Sequence, residues 1–245
     1  MTNNAREASL EHRRSDAPNR SIRRAGFVAG LSLLAMSVLA GFGNLVAVEG
    51  LVTPGDAGQT AADILAADGT FRVGVLALYL VVVLDVVVAW ALMRVFDPVS
   101  RSLSRLAAWF RLAYSAVFLV AISQLAGIPG LLAGGSSGFS AEQVQAQALL
   151  KVDAFNDIWF AGLVLFGAHL VLIGYLAYRS GYMPRILGVL LVIAGLGYAF
   201  DSVGFVLSES PLEVSAVTFV GEFLLCLWLL IRGRRMSVGT DDHAI

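Results

Sequence analysis

From residue 25 onward the chain alternates between long apolar stretches and short polar connections. Six stretches, roughly 25–47, 72–95, 105–127, 155–178, 185–207 and 214–232, meet or nearly meet the length of about 20 residues that a helix needs to cross the hydrocarbon core. They are too long, and too uniformly apolar, for the alternating strands of a membrane barrel. The pattern predicts an all-α integral membrane bundle of six transmembrane helices over residues 25–232. Residues 1–24 hold few side chains that could bury anything and read as a disordered tail; 233–245 form a second tail. The apolar stretch from Ala25 to Val48 is longer than a signal-peptide core and lacks a small-x-small cleavage site, so it reads as an uncleaved anchor.

Arginine placement orients these spans. The first tail carries Arg6, Arg13, Arg14, Arg20, Arg23 and Arg24, the second connection Arg101 and Arg105 beside Arg94, the fourth Arg179 and Arg185, and the C-terminus Arg232, Arg234 and Arg235. The other three connections hold only Arg72 and Lys151 among many carboxylates. Basic residues near membrane ends stay on the cytoplasmic side, so both termini are expected in the cytoplasm of a cell whose plasma membrane this chain crosses. The Arg-over-Lys bias hints at a GC-rich bacterial source.

Two outer connections contain more than turns. In "TPGDAGQTAADILAADG" the Pro54-Gly55 break, the Asp56/Gln59 capping pair and the stripe Ala61, Ile64, Leu65 predict a short helix on the outer face. In "GGSSGFSAEQVQAQALLKVDAF" a Gly/Ser hinge leads to a capping box at Ser140 and Gln143, so the fourth long helix is expected to start at about 141, ahead of its apolar part. The loop "GIPGLLAGGSSG" lacks the Lys-Ser/Thr ending of a phosphate cradle and reads as a flexible link.

Composition narrows the chemistry. The chain is 58% apolar and 14% charged with net charge -1, which leaves no basic footprint for nucleic acid. A single cysteine, Cys226, excludes an internal disulfide or a CxxC site. No nucleophile elbow, HExxH or other paired catalytic motif occurs, no cofactor is implied, and nothing specifies an oligomeric state.

What remains is a set of ionisable residues inside apolar spans: Asp85, Arg111, His169, Asp201 and Glu222, with Asp157 near the outer surface. Such groups are costly in hydrocarbon and face the bundle interior. Counted from the cytoplasmic edge at about 1.5 Å per residue, Arg111 lies at roughly 9 Å, His169 at roughly 14 Å, Asp85 and Glu222 at roughly 15 Å and Asp201 at roughly 24 Å. Asp85, His169 and Glu222 thus come from three helices to one middle layer, Asp85 pointing toward His169, Glu222 or Arg111, with Asp201 above. Glu222 shares a polar stripe with Ser215, Thr218 and Cys226, and Asp201 shares a face with Gly197 and Gly204. A structural hydrogen bond is the simpler role for His169, and one intramembrane histidine cannot ligate haem from both sides. For Arg111, snorkelling competes with a buried ion pair.

The stretch "YRSGYMPRILGVLLVIAGLGYAFDS", with "VTPGDAGQTAADIL" and "VGEFLLCLWLLIRG", resembles the bacterial membrane family catalogued as domain of unknown function 4386. The resemblance covers about residues 22–233. It implies a six-helix integral membrane protein and no activity, so no site residue carries over from it.

Three functions fit these residues. One is a carrier or binding protein for a small solute or proton, using the polar layer as its site. Another is an accessory or scaffold protein in which the same groups only specify helix packing. An intramembrane enzyme acting on lipid or quinone ranks last, because none of the usual constellations is present.

Overall fold

A computed structural model of the chain describes residues 2–134, 138–208, 214 and 219–236, with the side chains of 2–18 and 235 outside that description. Among the described residues every regular element is helical. They are α1 (Thr2–Ala40), α2 (Ala57–Ala66), α3 (Asp68–Phe96), α4 (Arg101–Ala126), α5 (Ile128–Leu132), α6 (Ala141–Arg179), α7 (Arg185–Ser208) and α8 (Val220–Arg232). A π-helical turn, Gly41–Val46, extends α1.

The long helices close a ring. Each packs on the next, α1 on α3, α3 on α4, α4 on α6, α6 on α7 and α7 on α8, and α8 returns to α1. Five segments, Asn19–Leu51, Asp68–Phe96, Arg101–Leu132, Ala141–Arg179 and Arg185–Leu207, are long and apolar enough to cross a membrane. The expected sixth span, 214–232, is described at Val214 and from Phe219, of which α8 supplies 13 residues; its first part, including Ser215 and Thr218, lies outside the described residues.

Burial in the ring is inverted relative to a water-soluble protein. Val38, Val206 and Leu207 are 67%, 74% and 79% exposed on its outside, whereas Asp85, Arg111, His169 and Asp201 are at most 2% exposed. An outer surface this apolar matches lipid rather than water.

Glycines set the closest approaches. A Cβ added at Gly174 would lie 2.6 Å from the carbonyl oxygen of Gly188, and one at Gly195 2.6 Å from that of Gly167, so α6 and α7 touch backbone to backbone as small residues permit. Gly221 brings α8 onto α7 in the same way, 2.6 Å from the Leu190 carbonyl. The connection "RSGYMP" turns at Gly181 (φ 71°) and is anchored where Tyr182 donates to the Val95 carbonyl at 2.7 Å. Burial pushes the Tyr182 hydroxyl's pKa up, which keeps its proton available for that bond.

The capping signals place the outer layer. Asp56 accepts from the Gln59 amide (2.8 Å) at the start of α2. Ser140 and Gln143 form the reciprocal box that starts α6 at Ala141. The α2 helix packs on α5 and the first turns of α6, so these elements cover one end of the ring.

Two segments differ from the sequence expectation. The α1 helix runs from Thr2 instead of starting near residue 25. Ala, Arg and Glu are good helix formers, and the last turns before the apolar stretch find packing: Ile22 is buried, and Arg23 Nε donates to the Met236 carbonyl at 2.7 Å. Within "GIPGLLAGGSSG", Ile128–Leu132 forms α5 with Pro129 in its first turn and both Ile128 and Pro129 buried, so that half of the loop is a packed element instead of a flexible link.

Candidate functional site

The core of the ring holds a polar chain across α3, α4 and α6. Asp85 lies on the buried stripe of α3 with Leu78, Val81, Val88 and Leu92. Its Oδ1 is 2.5 Å from Arg111 Nη2, an ion pair with both side chains 2% exposed. Arg111 Nε has no hydrogen-bond partner among the described residues. Arg111 Nη1 meets His169 Nε2 at 3.2 Å, and His169 Nδ1 meets the Ala107 carbonyl at 2.8 Å. A guanidinium can only donate. Nε2 therefore accepts and Nδ1 carries the proton, so this arrangement fixes a neutral imidazole in one tautomer. Phe166 supports the guanidinium with its ring face, 5.3 Å from centroid to Cζ. Ser115 donates to the Arg111 carbonyl at 2.8 Å.

Beside this chain lies a cavity of about 410 Å³, to which all six ring helices contribute. Asp85, Arg111 and Glu222 are its charged lining. Its walls include the aromatic side chains of Tyr114, Phe118, Trp159, Phe166 and Tyr198, and Trp159 Nε1 donates to the Tyr114 hydroxyl at 3.0 Å. Phe219 and Phe223, each 48% exposed, stand at the rim. The space runs from the level of Asp85 and Cys226 toward the end of the ring where α1 enters its π-helical turn and α6 begins.

Glu222 reaches this space from α8. Its carboxylate accepts a hydrogen bond from Tyr198, while Oε1 has no partner. The residue as a whole is only partly buried although Oε1 is shut off from solvent, and it lines the cavity. The middle layer thus divides in two: Asp85, Arg111 and His169 are bonded in series, and Glu222 faces the first two across the cavity. His169 sits behind Arg111, outside the lining.

Asp201 does not join them. It is fully buried in α7, and its Oδ1 accepts from the Val214 amide at 2.8 Å, which ties α7 to the segment leading into α8. Arg111 is not snorkelling, and Asp157 is exposed. Among the described residues no three His, Cys, Asp or Glu side chains gather as a metal site would require. The aromatic lining escaped the sequence reading; the signal for it was Tyr114, which the helical rise puts at the height of the charged layer.

A family model, domain of unknown function DUF4386, matches residues 28–233. The chain belongs to this family. The DUF4386 match takes in the end of α1, the other five ring helices and every residue of the polar chain. A protein of Archaeoglobus fulgidus described as an uncharacterized protein is 35% identical over 163 residues, which span 66% of this chain and 85% of that relative. No solved structure matches the chain.

Proposed function

We propose that this DUF4386 protein is a multi-pass protein of the bacterial cytoplasmic membrane that binds a small solute or a proton in its central cavity and carries it across. The observation that carries this reading is the cavity of about 410 Å³ between helices, with the carboxylates of Asp85 and Glu222 and the Arg111 guanidinium on its wall. Ionisable groups in apolar spans mark solute or proton pathways when they face a cavity. Asp85 is neutralised by Arg111, whereas Glu222 has, among the described residues, only the Tyr198 hydroxyl, so Glu222 is the group that exchanges a proton or meets a ligand. His169, held neutral between Arg111 and Ala107, is a positioning residue for the guanidinium and no proton relay.

A second reading, that of an accessory or scaffold protein, draws on the same series of bonds: Asp85, Arg111 and His169 lock α3, α4 and α6 together whatever passes beside them. The two readings part at Glu222. Purified protein is reconstituted into vesicles holding a pH-sensitive dye, and a pH step is applied outside. The carrier reading expects faster internal change than in empty vesicles and loss of that gain in Glu222→Gln. Rates equal to empty vesicles for the unmodified chain, with Glu222→Gln altering only thermal stability, would favour the scaffold.

A further inference from the structure

A second concave site lies at the arginine-rich end of the ring between α1 and α3. This cleft of about 510 Å³ is lined by Arg20, Ser21, Arg24, Ala25, Val28, Trp90 and Arg94. Three guanidiniums from two helices meet there with no carboxylate in the lining. Among the described residues none of the three is in an ion pair; the neighbouring Asp97 is turned to Arg101, 3.7 Å away. Arg94 Nη2 donates to Ser21 Oγ at 3.3 Å, which joins the two walls. Like charges gathered in a concave surface repel one another, and an oxyanion that accepts from them offsets that repulsion.

We propose that this cleft binds the phosphate headgroup of an anionic lipid. The ligand chemistry is a phosphate oxyanion held by forked donors, as arginine favours. Its source is read from the surface beside the cleft. On α3 the residues Val83, Val86, Trp90 and Arg94 follow one another along one face, and the first three are 60%, 47% and 52% exposed. On α1, Arg20, Arg24, Val28 and the 52% exposed Leu31 follow the same spacing in the opposite direction. Both helices therefore pass from guanidinium to apolar side chain in step, with an indole at the boundary, where Trp sits at a membrane interface. A free phosphate ion would use only the arginine end of this surface; a lipid uses all of it, acyl chains along Leu31, Val83 and Val86 and headgroup among the arginines. The arginine asymmetry assigns this end to the cytoplasmic leaflet, which carries the anionic lipids.

The test uses the full chain in a nonionic detergent, where no bilayer surface potential contributes, and counts bound lipid by native mass spectrometry. The probes are dioctanoyl phosphatidylglycerol, dioctanoyl phosphatidylcholine and inorganic phosphate. Phosphatidylglycerol is expected to saturate and to bind about tenfold tighter than phosphatidylcholine, whose choline cation would be brought against the guanidiniums. Arg24→Gln and Arg94→Gln are each expected to weaken it about tenfold, and Arg105→Gln, which removes an exposed charge of the same end outside the cleft, to leave it unchanged. Equal binding of the two lipids, or an equal loss in Arg105→Gln, overturns the site in favour of a diffuse field. Displacement of phosphatidylglycerol by an equal concentration of inorganic phosphate makes it a site for a soluble anion and overturns the headgroup. The comparison of lipids needs only the unmodified chain, so a variant that fails to fold does not remove the test.

Discussion

Asp85 on α3 and Arg111 on α4 form an ion pair 2.5 Å apart with both side chains 2% exposed. A guanidinium this buried requires acceptors from the protein, and this one has the Asp85 carboxylate on one side and the His169 imidazole on the other. The pair is therefore coupled to the packing of three helices. Breaking a buried pair by removing one partner leaves an uncompensated charge, which costs about 3–5 kcal/mol, whereas replacing both partners with apolar groups can be near neutral. Arg111→Met should lower the thermal unfolding midpoint in detergent sharply, and the double variant Asp85→Leu/Arg111→Met should recover most of the loss. A double variant no better than Arg111→Met would show that the pair is not the coupled unit.

His169 needs one acceptor toward Arg111 and one donor toward Ala107. An amide side chain provides both, and a leucine neither. His169→Gln is expected to keep most of the stability and His169→Leu to lose about 1–3 kcal/mol, the cost of stranding a buried polar partner. Thermal unfolding of the two variants side by side checks this; equal losses would mean that the ring matters for its shape alone.

The hairpin of α6 and α7 depends on contact without side chains between them. Gly195→Leu would drive a side chain into the Gly167 carbonyl, while Leu196→Phe enlarges a residue 55% exposed on the outside. Overpacking costs about 1–3 kcal/mol and more where backbone must separate. Loss of monodisperse protein after detergent extraction should follow Gly195→Leu and not Leu196→Phe.

Reporter fusions at residues 20, 100, 182 and 238 should read cytoplasmic, and fusions at 60, 138 and 210 external, if the arginine asymmetry sets six spans with both termini inside. A cytoplasmic signal at 210 would remove the sixth span.

Five of the expected spans and the two caps were legible because apolar length and the Asp56 and Ser140 signals each have one physical reading. The direction of Asp85, toward Arg111 as one of three expected partners, rested on energetics alone. Its neighbours Val81, Val82, Val88 and Ala89 are apolar on every side, so no polar periodicity points it inward; the structure places Val81, Val88 and Ala89 on the buried face with it. Depth counting put Asp85, His169 and Glu222 at one level but could not say that Arg111 reaches up between the first two, because a long side chain moves its charge by more than a helical turn. Asp201 carried a small-residue face with Gly197 and Gly204, yet its partner is a backbone amide, Val214, which no side-chain pattern marks. The aromatic wall was hidden by composition: Tyr114, Trp159 and Tyr198 stand among many apolar residues, and only the ring closure of α8 onto α1 makes them neighbours of one space.

The central claim is that the polar layer opens into a space that water-borne molecules enter. In a Cys226→Ala background, Ser37→Cys places a thiol on the cavity wall and Val38→Cys places the next one on the outer surface, 67% exposed to what the ring packs against. A charged thiol reagent needs water and a thiolate to react. Added to cells from outside, it should modify Ser37→Cys and leave Val38→Cys untouched. Modification of Val38→Cys alone, or of neither, would contradict a wet cavity beside Asp85, Arg111 and Glu222.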